Sequence, residues 1–191
     1  MSGQRTSTRD IVYIALFAAL TAALGLFPPI PIAFLGGVSV TAQSIGLMLA
    51  GAILGGRRGA LSMLLVVGLV AVGLPLLAGG RGGLGVFAGP TAGFLVGWVP
   101  AAYVVGKLHE WAWNRLNVVT SFIFCAIGGI IVLYAIGVPW MAMNIGAPLL
   151  KVAMASSVFV IGDVIKAGIA AVIAVAIKRA YPLIERRAAI S

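Results

Sequence analysis

The sequence predicts an all-α integral membrane protein of six transmembrane helices with both termini cytoplasmic. Three observations lead there. First, 62% of the 191 residues are hydrophobic and 9% are charged, with a mean hydropathy of +1.16. A soluble domain carries about 25% charged residues, and a chain of this size cannot hide so much apolar surface from water. Second, the apolar residues fall into six continuous runs, each long enough to approach a helical crossing of a hydrocarbon core about 30 Å thick. They do not alternate as barrel strands do. Third, the bases are lopsided. With six crossings, Arg5, Arg9, Arg57, Arg58, Lys107, Arg115, Lys178, Arg179, Arg186 and Arg187 fall on one side, and only Arg81 and Lys151 on the other. That is the positive-inside pattern, and it makes the first side cytoplasmic.

The first run, residues 11–27, follows Arg5 and Arg9 as a signal peptide would. Asp10 abuts it, however, and no small-residue cleavage site follows, so it reads as a retained helix. Pro28, Pro29 and Pro31 stop it, because proline removes donors and breaks helices. The uncharged loop 32–37 lies against the membrane or caps a cavity. The second run is 38–55 and the third 59–78, joined by the tight turn Gly55-Gly56-Arg57-Arg58-Gly59. Leu74-Pro75 and then Gly79-Gly80-Arg81-Gly82-Gly83 lead into the fourth run, 84–106. The stretch 107–117, with the single His109, is the most polar loop. The fifth run, 118–137, is ended by Pro139, and the sixth is 152–177. No polar stretch is long enough for a soluble domain, so the chain reads as a single six-helix transmembrane domain. The one cysteine, Cys125, lies in an apolar run and reads as an inert buried thiol.

Small residues recur at four-residue spacing, which places them on one helix face and lets backbones approach. Gly85, Gly89, Gly93 and Gly97 do so in the fourth run, and Gly51 and Gly55 in the second. Ordinary compact packing is the first reading. Ala15, Ala19 and Ala23 form a similar face on the first helix, suited equally to internal packing or to a partner membrane protein.

Charges inside a membrane are costly and usually face a cavity with a partner. Asp163 and Lys166 lie three residues apart in the sixth run and so share a helix face. They make either a self-neutralising ion pair or a polar site. As a site, the carboxylate accepts from N–H groups and the ammonium donates to carbonyl oxygens, which suits a ligand with an amide-like donor and acceptor. Arg81 stands alone among glycines, including Gly82 and Gly83, that permit close backbone approach. It serves either as an interfacial arginine or as a bidentate clamp on a carboxylate. Lys151 is a second candidate for an anion. Thr41, Gln43 and Asn144 are polar groups near the outer helix ends, where caps and interhelical bonds use the same residue types.

Other chemistries are missing. No G-x-x-x-x-G-K-[ST] occurs, which removes that route to ATP. No nucleophile sits beside a recognisable base. The residues imply no metal site and no cofactor. The basic C-terminus lacks aromatic interleaving, so its expected partner is the lipid bilayer rather than nucleic acid.

Taken together, Pro29-x-Pro31, Thr41-x-Gln43 and the run Leu49-Ala50-Gly51-x-x-Leu54-Gly55-x-Arg57-x-Gly59-x-Leu61-Ser62 resemble the BioY family of biotin-binding S components of energy-coupling factor (ECF) vitamin transporters. The resemblance continues through Gly73-Leu74-Pro75, Gly79-Gly80-x-Gly82-Gly83-Leu84-Gly85 and Gly89-Pro90-Thr91-x-Gly93-Phe94-Leu95-x-Gly97. It closes at Gly162-Asp163-x-x-Lys166 and is weakest through the fifth helix. Phe94 stands where the family often has tyrosine.

The resemblance implies an ECF S-component-like bundle that binds biotin with high affinity for uptake. It implies separate partner chains: a transmembrane coupling subunit, met by the face of Ala15, Ala19 and Ala23, and ATP-binding subunits that hydrolyse ATP. On this reading Asp163 accepts from a ureido N–H, and Lys166 donates to the ureido oxygen or neutralises Asp163. Arg81 or Lys151 holds the tail carboxylate, an assignment from chemistry rather than from the family. Asn144, Gln43 or Thr41 adds a hydrogen bond. The loops 28–37 and 79–83, the latter holding Gly82 and Gly83, act as gates. The competing readings are an S component for a different vitamin and a small ion-coupled secondary transporter.

Overall fold

The structure, a computed structural model, describes residues 7–27, 30–31, 39–181 and 183–184. Pro28, Pro29 and the loop 32–37 lie outside the described residues, as do Arg5, Arg186 and Arg187.

Helix α1 (Thr8–Leu24) opens on a capping box. The Asp10 N–H donates to Ser7 Oγ at 3.2 Å, and the Ser7 N–H donates to Asp10 Oδ2 at 3.1 Å. Two donors that a helix start leaves open are thus satisfied. A minimal antiparallel pair follows, β1 (Ile30–Pro31) and β2 (Ser39–Val40), with Ile30 opposite Val40. Then come α2 (Ser44–Leu54), α3 (Gly56–Ala71), α4 (Ala92–Trp111), α5 (Val118–Ala126), a π-helical segment (Ile127–Val132), α6 (Leu133–Ile145) and α7 (Leu149–Ala180). Since α5, the π segment and α6 form one rod, Val118–Ile145, the described residues make six helical rods.

The rods differ from the expected runs in instructive ways. The second begins at Ser44 rather than at residue 38, because Thr41 to Gln43 leave the helix to line a cavity. The third ends at Ala71. The fourth starts at Ala92; Leu84–Ala88 is a 3-10 turn, so Gly85 and Gly89 do not share a face of α4 with Gly93 and Gly97. That helix also continues to Trp111, which makes the start of the expected polar loop helical. His109 is therefore not in a loop but fully buried, with Nδ1 2.8 Å from the Val105 carbonyl and Nε2 2.8 Å from Ser121 Oγ. These bonds satisfy both ring nitrogens and tie α4 to α5. Pro139 does not end its helix. The rod runs on to Ile145, with Val138, Met141 and Ala142 packed against Val152 of α7. In a bilayer, neighbouring helices compensate the donor that proline removes.

At about 16 Å, α2 is too short to cross a bilayer by itself. It is the hub instead: every residue from Gly46 to Leu54 is buried, against α1, α3, α4 and α7. Glycines make this possible. A side-chain carbon on Gly51 would stand 2.5 Å from the Ala102 carbonyl, and one on Gly106 would strike the backbone of Gly55 and Gly56. The α2–α3 turn is set by Gly55 at φ +86°, and the carboxylate of Glu110 accepts the Gly56 N–H at 2.8 Å to begin α3. Outward-facing Ile11, Leu16, Leu64, Ile161 and Ile165 are exposed, as a lipid-facing surface requires.

At this end of the bundle Arg58 Nε lies 3.0 Å from Asp10 Oδ1, and an Nη1 proton goes to the Leu183 carbonyl at 3.2 Å. The first and last described segments therefore meet beside the α2–α3 turn. The start of α2, the 77–91 connection and the start of α4 lie together at the other end.

Candidate functional site

There they enclose a cavity of about 130 Å3. Its walls are largely apolar, from Leu77, Val86, Phe94, Leu95, Trp98, Leu133, Met141 and Phe159, with polar groups at Thr41, Gln43, Ser44, Arg81, Thr91, Tyr134, Asp163 and Lys166. Concave apolar walls with a few convergent polar groups are the usual make-up of a small-molecule site.

One turn of α7 puts Asp163 and Lys166 on the cavity side. Asp163 is 6% exposed. Its Oδ1 accepts from Lys166 Nζ at 2.8 Å and from the Ser44 hydroxyl at 3.2 Å. Its Oδ2 accepts from the Tyr134 hydroxyl at 2.6 Å. Lys166 Nζ also donates to Ser44 Oγ at 3.0 Å. The carboxylate is thus held from α2, α6 and α7 together. A buried charge is stable only when so paired.

The unused bonding capacity defines what this cluster reads. An ammonium has three donors, and two of Lys166's are engaged; a carboxylate oxygen has two lone pairs. Both pairs of Asp163 Oδ1 are taken, and one of Oδ2 is taken. Among the described residues this leaves one donor on Lys166 and one acceptor on Asp163 Oδ2.

The other expected residues separate into two groups. Arg81 lines the cavity rim, where an isolated bridge between Leu77 and Arg81 holds its backbone. Its Nε donates to the Ala78 carbonyl at 3.3 Å, and among the described residues its terminal guanidinium nitrogens engage nothing else. Thr41 also lines the cavity. Gln43 lines it too, but its amide is committed to backbone: Nε2 donates to the carbonyls of Thr21 and Leu76, and Oε1 accepts from the Ala78 N–H. Asn144, Lys151, Gly82 and Gly83 do not line it. Asn144 Nδ2 donates to the Ala88 carbonyl at 2.8 Å and tethers the 3-10 turn. Lys151 is exposed at the start of α7. Gly82 packs against the Leu74 carbonyl, and the Gly83 N–H donates to the Val70 carbonyl.

Sequence reading overlooked Ser44 and Tyr134. Both are hydroxyls inside apolar runs, the signal that could have flagged them. Among the described residues no three His, Cys, Asp or Glu side chains gather as a metal site would need.

Comparison with known proteins fits this arrangement. The BioY family model matches residues 1–183. The chain belongs to the BioY family. It is 51% identical over 187 residues to the biotin transporter BioY of Rhizobium etli, covering 95% of this chain and all of that one. It is 47% identical over 183 residues to the biotin transporter BioY of Rhodobacter capsulatus, covering 91% and 95% of the two. Its fold superposes with a TM-score of 0.86 on a crystal structure of the S-component for biotin from an ECF-type ABC transporter, at 29% identity over 94% of this chain and 95% of that one. These BioY relatives are transport proteins and not enzymes. The six-rod bundle is the S-component fold.

Proposed function

We infer that this chain is a biotin-binding S component, the substrate-specific subunit of an ECF-type transporter. The observation that carries the reading is the residual valence of the Asp163–Lys166 cluster: one donor and one acceptor, unengaged by the described residues, on two residues that line a largely apolar cavity. The ureido head of biotin presents N–H donors next to a carbonyl. In the proposed complex Asp163 Oδ2 accepts a ureido N–H and Lys166 donates to the ureido oxygen. Charge-assisted bonds of this kind are the strong ones. The fused rings and alkyl chain lie against Trp98, Phe94 and Leu133. Arg81, at the rim with its terminal nitrogens unengaged by the described residues, takes the tail carboxylate.

The proposal extends to assembly. With no phosphate-binding loop in its sequence, the chain draws its energy from separate ATP-binding subunits through a transmembrane coupling subunit. Ala15, Ala19 and Ala23 are all exposed on one face of α1, which supports that face as the coupling contact. The chain works as one transmembrane unit in a prokaryotic cytoplasmic membrane. The charge asymmetry supports cytoplasmic termini, with the cavity opening outward.

Titration of the detergent-purified chain with biotin, beside thiamine and riboflavin, tests the reading. Tight binding of biotin alone is expected, with a loss on the order of tenfold or more in Asp163→Asn. Binding of another vitamin in place of biotin would overturn the substrate, and an unchanged Asp163→Asn would overturn the head-group assignment.

A further inference from the structure

We propose that Tyr134, with Ser44, is a positioning residue for ligand recognition: the two hydroxyls fix the plane of the Asp163 carboxylate so that the free lone pair of Oδ2 is presented to the cavity. The inference rests on the biotin-site reading and deepens it.

A carboxylate anchored through one oxygen swivels about its Cβ–Cγ bond. Lys166 and Ser44 both engage Oδ1, at 2.8 and 3.2 Å. Tyr134 alone engages Oδ2, at 2.6 Å, short enough for a charge-assisted O–H···O⁻ bond. With both oxygens anchored, from α2 and α6, rotation is blocked. The two Oδ1 donors fill that atom, so the acceptor left for a ligand is on Oδ2.

The phenol is itself held. Phe94 of α4 meets the Tyr134 ring edge to face, with centroids 5.5 Å apart and planes at 88°. The backbone carrying it is unusual as well. The π-helical segment Ile127–Val132 ends two residues before Tyr134. A π turn inserts one residue into the helical repeat, which rotates everything downstream by about 100° relative to an uninterrupted α-helix. Gly128 and Gly129 sit in this segment. A side-chain carbon on Gly128 would lie 2.8 Å from the Ala101 carbonyl of α4, and one on Gly129 would strike Met48 of α2. The rod is therefore seated closely on both neighbours just before Tyr134 turns to face α7.

The test is a double-mutant cycle read by biotin titration. Tyr134→Phe keeps the ring and its Phe94 contact; Ser44→Ala is the second variant, on a different helix. Each single variant is expected to bind biotin on the order of tenfold more weakly. In an Asp163→Asn background, adding either is expected to change affinity by less than about twofold, because the group being positioned has been altered. A merely structural role gives losses that multiply in the double variants, and that result overturns the proposal. Single variants that bind as tightly as the parent overturn it too. A parent chain that does not bind biotin overturns the site reading and this inference together, whereas a parent that binds, with multiplying losses, overturns only the positioning role.

Discussion

Gln43 Oε1 accepts the backbone N–H of Ala78 at 2.9 Å, and the same amide's Nε2 donates to the Leu76 carbonyl at 2.9 Å. One side chain at the foot of α2 thereby holds the strand-like connection that follows α3. A further bond to the Thr21 carbonyl, at 3.3 Å, adds the end of α1. Gln43 stands at the cavity wall and is 2% exposed, so its chief work is to shape the cavity. Replacing it with alanine leaves buried backbone groups unpaired, each costing about 1–3 kcal/mol. Gln43→Ala is expected to lower the thermal midpoint in detergent clearly, with or without ligand. A midpoint equal to the parent's would show the clamp to be dispensable.

Arg81 differs in kind. Its guanidinium reaches the rim of the cavity and, among the described residues, engages the protein through Nε alone. On the proposed reading, Arg81→Gln is expected to weaken biotin on the order of tenfold, since it would remove a charged partner of the tail carboxylate. The same change should scarcely affect biotin methyl ester, whose tail is neutral. Parallel titrations of the two ligands settle it, and equal losses would assign the carboxylate elsewhere.

The glycines are not equivalent in their packing. Gly106 abuts the backbone of α3's first turn, whereas none of the described residues stands within 4 Å of a carbon placed on Gly85. Gly106→Val is expected to destabilise the bundle by roughly 1–3 kcal/mol or more through overpacking. Gly85→Ala is expected to be near neutral. Thermal unfolding of the two variants side by side checks the contrast.

Small residues on the outer face of α1 lie away from this chain's own core, and the proposed reading gives that face to the coupling subunit. Ala15, Ala19 and Ala23 are exposed, while Phe17, Ala18 and Thr21 on the opposite face are buried. Ala19→Trp should leave biotin titration unchanged and prevent co-purification with a transmembrane coupling subunit. Co-purification that survives the bulky residue would move the contact elsewhere.

Much of this was legible in one dimension. Apolar runs announced the rods, because a helix in lipid must satisfy its own backbone and needs an apolar surface all along its length. Asp163 and Lys166 stood out as either a self-neutralising pair or a polar site, because charges in such a run are costly; the structure puts both on the cavity wall. Ser44 and Tyr134 were not legible in the same way. A hydroxyl costs little to place in a helix, and only the approach of α2 and α6 to α7 turns those two into partners of one carboxylate. Asn144 and Lys151 were weaker candidates than Arg81 in the sequence, and neither lines the cavity. Their distance from the cavity follows from where the 3-10 turn and the start of α7 come to rest.

Composition and charge order were enough to read a membrane bundle, since lipid solvation acts on each residue separately and leaves its mark along the chain; the family came from the resemblance of its glycine, proline and Asp163-x-x-Lys166 motifs. The rest was chosen by packing. A buried His109 in place of a loop histidine, a helix continuing through Pro139, a hub helix too short to cross alone and a carboxylate with one lone pair to spare all depend on contacts between residues far apart in sequence. Such contacts exist only once the rods have docked.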